Sequence, residues 1–543
     1  MTETLTPETE PGQPDSPDEG KSRATLWALL SGILAAGAAL AAGEIMSGFS
    51  QSIPSLVVGV AEIFTAETPG GVVRWSIDNF GTSQKTLLIT GITVSSLLAG
   101  AYLGWASLKD RRVGYIGFAA FGLLGGWAAA GAALSADGWS WISAILAAGI
   151  GAIVLQLLLK WLPFAGTAET GVAALASTPD RRNFLGFASG AAFFAIFGAG
   201  LGKQLRKNQS VEGAREQVAA SLPAAPAAPP APITPTTPTS GTANFDSIDG
   251  IGSLITPNDD FYLIDTAIRK PQVDPATWSM RINGMVDNEL EFTFDDLLAM
   301  DHIEETITLS CVSNQVGGNL VGNAVWTGVP LMTLLNMAGI QDGATQIASR
   351  SVDGWNCGFP TDVALDGRPA MVAITMNGEP LPIIHGFPAR LVVPGLYGYV
   401  SATKWLSEIT LTTQEDFDGY WIPRGWGKDG PIKTQSRIDV PRNGKTIRAG
   451  PAAIAGVAWA PHRSIDRVEV QVDAGPWIEA ELTDEVSNNS WRQWMIEWDA
   501  TLGDHEVRVR ATDGDGVTQT DVIARPDPDG ATGHHTISFS VNA

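Results

Sequence analysis

The feature that most limits how this chain can fold is a set of five long apolar runs confined to its first part: 25–45, 86–108, 113–134, 139–162 and 184–202. Crossing the hydrocarbon of a bilayer takes about 20 largely apolar residues in a helix, because a helix satisfies its own backbone polar groups where no water can. Each run is of that order, so they read as membrane spans and not as buried helices of a soluble core. Gly and Ala are abundant in them, which lets helix backbones approach closely. A further run, 53–64, is too short to span and reads as interfacial.

Basic residues orient such a set, because the cytoplasmic side carries the excess of Lys and Arg. Lys21 and Arg23 precede the first run, Lys109, Arg111 and Arg112 separate the second and third, and Arg181 and Arg182 separate the fourth and fifth. All three groups fall on one side of a five-span array. Everything after 203 then lies outside the cytoplasm, with Lys203, Arg206 and Lys207 on the outer side against the trend. The last span opens with Arg181-Arg182-Asn183-Phe184-Leu185 before a Gly/Ala-rich stretch, which resembles a twin-arginine export signal.

The spans hold no histidine, since the first in the chain is His302, and their one acid is Glu44, near an end. Haem ligation by His pairs and intramembrane ion paths both need such residues. An anchor or partner-docking surface is the reading that remains. Beyond it, residues 213–243 are rich in Pro, Ala and Thr and read as a semi-rigid spacer without a core.

The remainder reads as a soluble protein. Residues 244–430 mix β-rich runs (Trp278 to Gly284, Arg390 to Gly395) with helical ones (Thr293 to Met300, Pro330 to Ala338), an α+β pattern without strand–helix alternation. Residues 431–543 look all-β. Val468 to Val472 and Glu506 to Arg510 alternate apolar and polar with period two, and turn signals separate them, as in a β-sandwich. The net charge of -23 repels nucleic acid and gives no help in attracting anionic substrates. The two cysteines, Cys311 and Cys357, form no CxxC motif, which argues against a zinc knot or an iron–sulfur cluster.

The chemistry concentrates in two segments. One is Thr308-Leu-Ser-Cys311-Val-Ser-Asn314, followed by Gly322-Asn-Ala-Val-Trp326. The other is Met376-Asn-Gly-Glu-Pro-Leu-Pro-Ile-Ile-His385-Gly-Phe-Pro-Ala-Arg390-Leu-Val-Val-Pro-Gly395, with Lys404-Trp-Leu beyond it. Together they resemble the catalytic domain of the sulfite oxidase family of molybdenum enzymes. The resemblance runs over roughly 245–543 and, through Gly456-Val-Ala-Trp and Val468-Glu-Val, into that family's immunoglobulin-like dimerisation domain. It implies molybdopterin with molybdenum as cofactor. Cys311 then stands where the family supplies a thiolate to the metal. His385, Arg390, Thr403 and Lys404 stand where it holds the pterin and its phosphate, and Asp353 where it places a pterin-contacting acid. Arg suits a phosphate because its fork donates two parallel hydrogen bonds.

The match fails at four positions. Gln315, Ile264 and Ile374 stand where sulfite oxidases carry two arginines and a tyrosine, and Thr266 replaces a histidine. An isoleucine neither donates a hydrogen bond nor neutralises sulfite, so the expectation is a less charged substrate, with sulfite and nitrate disfavoured. Cys357 reads as buried core and His534-His535 as a strand-end pair, since neighbouring strand residues face opposite sides.

The expected architecture is therefore a disordered cytoplasmic tail (1–23), an α-helical membrane region (24–207), a Pro-rich linker (208–243), an α+β molybdopterin domain (244–430) and an immunoglobulin-like sandwich (431–543). The expected function is two-electron oxygen-atom transfer on a small molecule. Electrons would pass to or from a separate partner, and dimerisation through the sandwich is expected by analogy. Two competing readings are a catalytically inactive receptor or scaffold and a sulfoxide reductase-like repair enzyme. A third, contact of the helices with quinone, lacks an obvious polar site.

Overall fold

The computed structural model describes residues 17–132, 134–135, 138–162, 178–222 and 244–543, which form two compact units, Met1–Ser210 and Val211–Ala543. The expected tail up to residue 16 and the Pro-rich stretch 223–243 lie outside the described residues.

The first unit is helical: α1 Pro17–Ser47, α2 Leu56–Glu67, α3 Gly70–Phe80, α4 Gln84–Ala106, α5 Arg112–Ala130, α6 Trp139–Lys160 and α7 Thr178–Lys207. α1, α4, α5 and α6 contain four of the five segments long and apolar enough to cross a membrane, and the fifth, Arg182–Ser221, begins within α7. Small residues set how they pack. A Cβ on Gly32 would fall 2.0 Å from the Gly100 carbonyl oxygen, and one on Gly104 would fall 2.1 Å from that of Ala28. Ala28-x3-Gly32 and Gly100-x3-Gly104 thus let α1 and α4 touch backbone to backbone, the role of small-xxx-small spacing in membranes. The short run at 53–64 forms α2, whose Gly59 packs on the Ala129 backbone of α5. Glu44 is held by Arg206 of α7, whose guanidinium also donates to Ser47 at 2.9 Å, and by the Ser55 hydroxyl. Of the three cations expected on the outer side, Arg206 is therefore committed to an ion pair. The twin-arginine-like stretch enters α7, and the side chain of Arg181 lies outside the described residues.

The second unit opens with a helix, α8 Glu212–Ser221, inside the stretch expected to be linker. Val211 and Val218 are buried in the core, with Ala214 and Leu222 packed against it. The expected spacer is thus corrected at its start. The stripe 211, 214, 218, 222 is an apolar helical face, which the Pro-rich composition just after it obscures.

Residues 279–412 build two sheets. The strands are β1 Ser279–Gly284, β2 Leu290–Thr293, β3 Ile303–Ser310, β4 Val321–Pro330, β5 Gln346–Ser351, β6 Asn356–Pro360, β7 Met371–Met376, β8 Glu379–Pro380, β9 Arg390–Val392 and β10 Leu406–Thr412. One sheet runs β2-β1-β10-β5-β6; the other runs β3-β4-β7-β8, with β9 paired to β7. The helix expected from Thr293 spans Phe294–Ala299, started by a capping box in which Thr293 and Asp296 satisfy each other's backbone N–H groups. The helix expected from Pro330 spans Leu331–Ala338. Residues 435–542 build two further sheets. Gly450–Trp459 and Arg492–Ala500 are central in one, Gly503–Asp513 and Ile465–Val472 in the other, and their apolar faces share one core centred on Ile454, Val468, Trp494 and Val507. His535 begins the last strand and accepts the Ile438 N–H through Nδ1 at 2.9 Å, while His534 bonds the Gln519 carbonyl at 3.0 Å. Cys357 is buried against Ser349 and Thr403.

Candidate active site

Three chain segments converge. The first, 256–266, crosses the β3/β4/β7 sheet and is pinned by amides. Asn377 donates to the Thr256 carbonyl and to Asn258 Oδ1, both at 2.9 Å, while its own Oδ1 accepts the Val325 N–H. Phe261 follows, its ring against Gly322 of β4, where a Cβ would come within 2.7 Å of the ring. Phe261 then meets Trp326 and His385 edge-on, with centroids 5.8 and 5.6 Å away, and stacks on Tyr262.

The second segment is the end of β3. Strand pairing stops at Ser310, and the chain turns so that Cys311 donates its N–H to the Leu320 carbonyl. The thiol is buried, and the Ser313 N–H points at Sγ from 3.4 Å. Burial pushes its pKa up, the Ser313 bonds oppose that, and the buried free thiol waits for a positive partner to become a thiolate.

The third segment is the expected string. Leu381, Pro382 and a short helical turn, Ile383–His385, lead to Gly386 at φ +114°, where a Cβ would press on the Lys404 Cα and the Arg390 Cβ at 3.0 and 3.1 Å. Only glycine serves at that turn, and its small size brings Arg390 and Lys404 together. Arg390 is 4% exposed. It donates to the His385 carbonyl, lies over the Trp326 ring at 4.9 Å and leaves Nε without a partner. Burial lowers its pKa to about 10. His385 bonds the Asn258 carbonyl through Nε2 and leaves Nδ1 without a partner. Burial, then Lys404 and Arg390, hold its pKa down at about 3, so it is neutral. Lys404 reaches the Ile384 carbonyl at 3.0 Å and Asp265 at 3.1 Å, and burial lowers its pKa to about 8. Thr403 is fully buried, bonded to Ser349 at 2.7 Å. Asp353 accepts the Trp355 N–H, and burial raises its pKa, with Asp265 adding to the rise.

The fold therefore gathers His385, Arg390 and Lys404 into one cluster and places Asp353 at its Asp265 edge. Thr403 faces Ser349 and Cys357 instead of the orphaned atoms. Three residues that motif reading passed over complete the picture. Asp265 clamps Lys270, at 2.5 and 2.6 Å, as well as Lys404. Tyr262 stacks on Phe261, and burial pushes its phenol pKa up, a rise to which Cys311 adds and which Arg390 opposes. The adjacency of Asp265 to the replaced positions 264 and 266 was the available signal; nothing in sequence pointed to Tyr262. Of the uncharged replacements, Ile264 and Gln315 are exposed and Ile374 is wholly buried on β7.

Residues 267–421 match the family model described as the oxidoreductase molybdopterin binding domain. The uncharacterized oxidoreductase YuiH of Bacillus subtilis (strain 168) is 33% identical over 157 residues, 29% of this chain and 76% of that protein. The chain belongs to the molybdopterin-binding oxidoreductases of the sulfite oxidase type. Mitochondrial sulfite oxidase of Rattus norvegicus is 28% identical over 321 residues, which cover 50% of this chain and 58% of that one, so the chain spans little more than half of those relatives. A solved structure, the sulfane dehydrogenase SoxCD from Paracoccus pantotrophus, aligns over 53% of the chain at 24% identity with a TM-score of 0.46.

Membership implies a molybdenum cofactor, and the donor set fits one. Arg390 Nε and His385 Nδ1 are buried polar atoms without a protein partner, which a buried site rarely tolerates. No acid among the described ion pairs neutralises Arg390, and Lys404 and Lys270 add two cations against Asp265. A phosphate-bearing ligand satisfies this excess of donors, and a metal satisfies the single thiol.

Proposed function

We propose that the second unit is the catalytic part of a membrane-anchored, extracytoplasmic oxidoreductase that carries molybdopterin with molybdenum and moves one oxygen atom to or from a small substrate other than sulfite. The observation that carries this is the buried group of Cys311, His385, Arg390 and Lys404, with Arg390 Nε–H and His385 Nδ1 left without protein partners. When bound, the cofactor supplies two-electron oxygen-atom transfer. Cys311 ligates the metal through its thiolate. Arg390 and Lys404 grip the phosphate, and His385, held neutral with its Nε2–H donating to the Asn258 carbonyl, accepts a hydrogen bond from the pterin at Nδ1. The two electrons pass to or from a separate partner.

Substrate choice follows from charge. Exposed Gln315 and Ile264 offer no cation to an oxyanion, and the acidic chain does not attract one. A neutral acceptor such as a sulfoxide suits this environment. Five apolar helices support membrane association, and the basic residues between spans support an outer catalytic unit delivered by twin-arginine export. Likeness to two-domain sulfite oxidases supports an immunoglobulin-like kinship and dimerisation for the C-terminal sheets.

The test is molybdenum and pterin content of the full chain and of Cys311→Ala, both made with cofactor synthesis intact. Stoichiometric molybdenum in the native protein, with pterin retained but the thiolate-to-metal absorption lost in the variant, is the expected result. Absence of metal and pterin from both proteins would overturn it in favour of the scaffold reading.

A further inference from the structure

The Pro-rich segment looks like the tether between anchor and catalytic unit. The contacts on either side of it assign that role elsewhere. On its N-terminal side, α8 already belongs to the second unit. Val211 donates its N–H to Gln272, Arg215 donates to the Pro380 and Leu381 carbonyls at 3.0–3.1 Å and pairs with Glu379 at 3.1 Å, and Val218 is buried in the catalytic core. On its C-terminal side, Phe245 donates its N–H to Gln493 at 2.7 Å, also in the second unit. Both flanks of 223–243 are thus fastened to one body. On the anchor side, Gln209 bonds the Gly48 carbonyl within the first unit, and the two units divide at Ser210 and Val211.

We infer that α8 is a docking helix for the catalytic unit and that the covalent step from anchor to catalytic unit is the one around Ser210, ahead of the Pro-rich segment. The occupant of the surface formed by Glu379–Leu381 and Gln272 is the chain's own segment 211–222. The chemistry of the contact is specific. One guanidinium satisfies two carbonyls at the end of the β7/β8 hairpin, while the apolar stripe of Val211, Ala214 and Val218 packs on the core. The Pro-rich segment is therefore not the connection that holds the catalytic unit to the anchor. A break in it does not separate them, because the docked helix remains.

This rests on the membrane reading of the first unit. The experiment replaces part of 226–236 in the full chain with the recognition sequence of a site-specific protease, cuts membranes to completion and sediments them. The uncut chain in the pellet establishes the anchor; uncut chain in the supernatant overturns the membrane reading alone. After cutting, the fragment beginning near residue 240 is expected to stay with the pellet. It is expected to move to the supernatant when the same chain carries Arg215→Ala or Val218→Asp, with near-ultraviolet circular dichroism and pterin content unchanged before cutting. Release of the fragment from the unsubstituted chain overturns the docking role of α8. Retention in both substituted chains overturns it equally, since something other than α8 then holds the fragment.

Discussion

The two ends of the candidate site are built on opposite rules. At one end, Arg390, His385, Lys404 and Asp265 are charged or polar, almost wholly buried and held by several contacts each. At the other, around Cys311, the positions that would read a substrate's charge are Gln315, Ile264 and Ile374. Burying charge is costly unless something pairs with it, so the first end makes sense only with a permanent anionic occupant. The second end needs no such partner. On the proposed reading, recognition strength sits with the cofactor, and the substrate meets neutral contacts.

The sharpest way to break this comparison is at the thiol. Cys311→Ala should lose turnover beyond the about 10–100-fold typical of changes outside the ligand shell, while pterin content, held from the other end, stays near native. Parallel loss of pterin would mean that the two ends are not independent. Arg390→Ala should do the reverse and strip the pterin. Truncating a buried charged partner costs about 2–5 kcal/mol, and each 1.4 kcal/mol or so is tenfold in affinity. Fluorimetric pterin content after gel filtration measures it.

The acid limb isolates His385. Its folded pKa of about 3 lies below the ordinary 6.5. The unfolded chain therefore binds the proton first, and cofactor-free protein loses stability as pH falls from 6.5 toward 3. At about 1.4 kcal/mol per unit, the loss reaches several kcal/mol. Urea titrations of His385→Gln should lack most of it. Lys404 gives the alkaline counterpart. Its pKa is lowered from 10.5 to about 8, first by burial. As pH rises between these values, the cofactor-free protein should gain stability, whereas its grip on an anion should weaken as Lys404 loses its charge. Denaturant midpoints and pterin retention moving the same way would refute the assignment of Lys404 to the anionic end. The smallest effect is at the substrate end. Gln315→Arg should tighten inhibition by sulfite or sulfate several-fold, on the order of 1 kcal/mol for one exposed charge, with no change in pterin content.

Much of this was legible in the chain. Apolar runs of spanning length, a Thr293/Asp296 capping box and period-two strands report their own local structure, because each depends on neighbours within a few residues. Cys311 and the string from Met376 to Gly395 carried the family. What escaped were contacts across long separations. Asp265 meets Lys404 139 residues on, and Arg206 meets Glu44 across 162. Phe261 lies against β4 only because Gly322 leaves room for its ring.

By itself, the sequence determined the five apolar helices, the pairing of an α+β region with β-sheets, and the residues that could serve a molybdopterin. Those properties follow from composition, period and residue chemistry read locally. Only the tertiary structure decided which cations share Asp265, that Thr403 turns to Ser349 and not to the orphaned atoms, and that α8 belongs to the catalytic unit and not to the linker. Each of these is a choice of partner, and a partner is set by the packing that brings distant segments together.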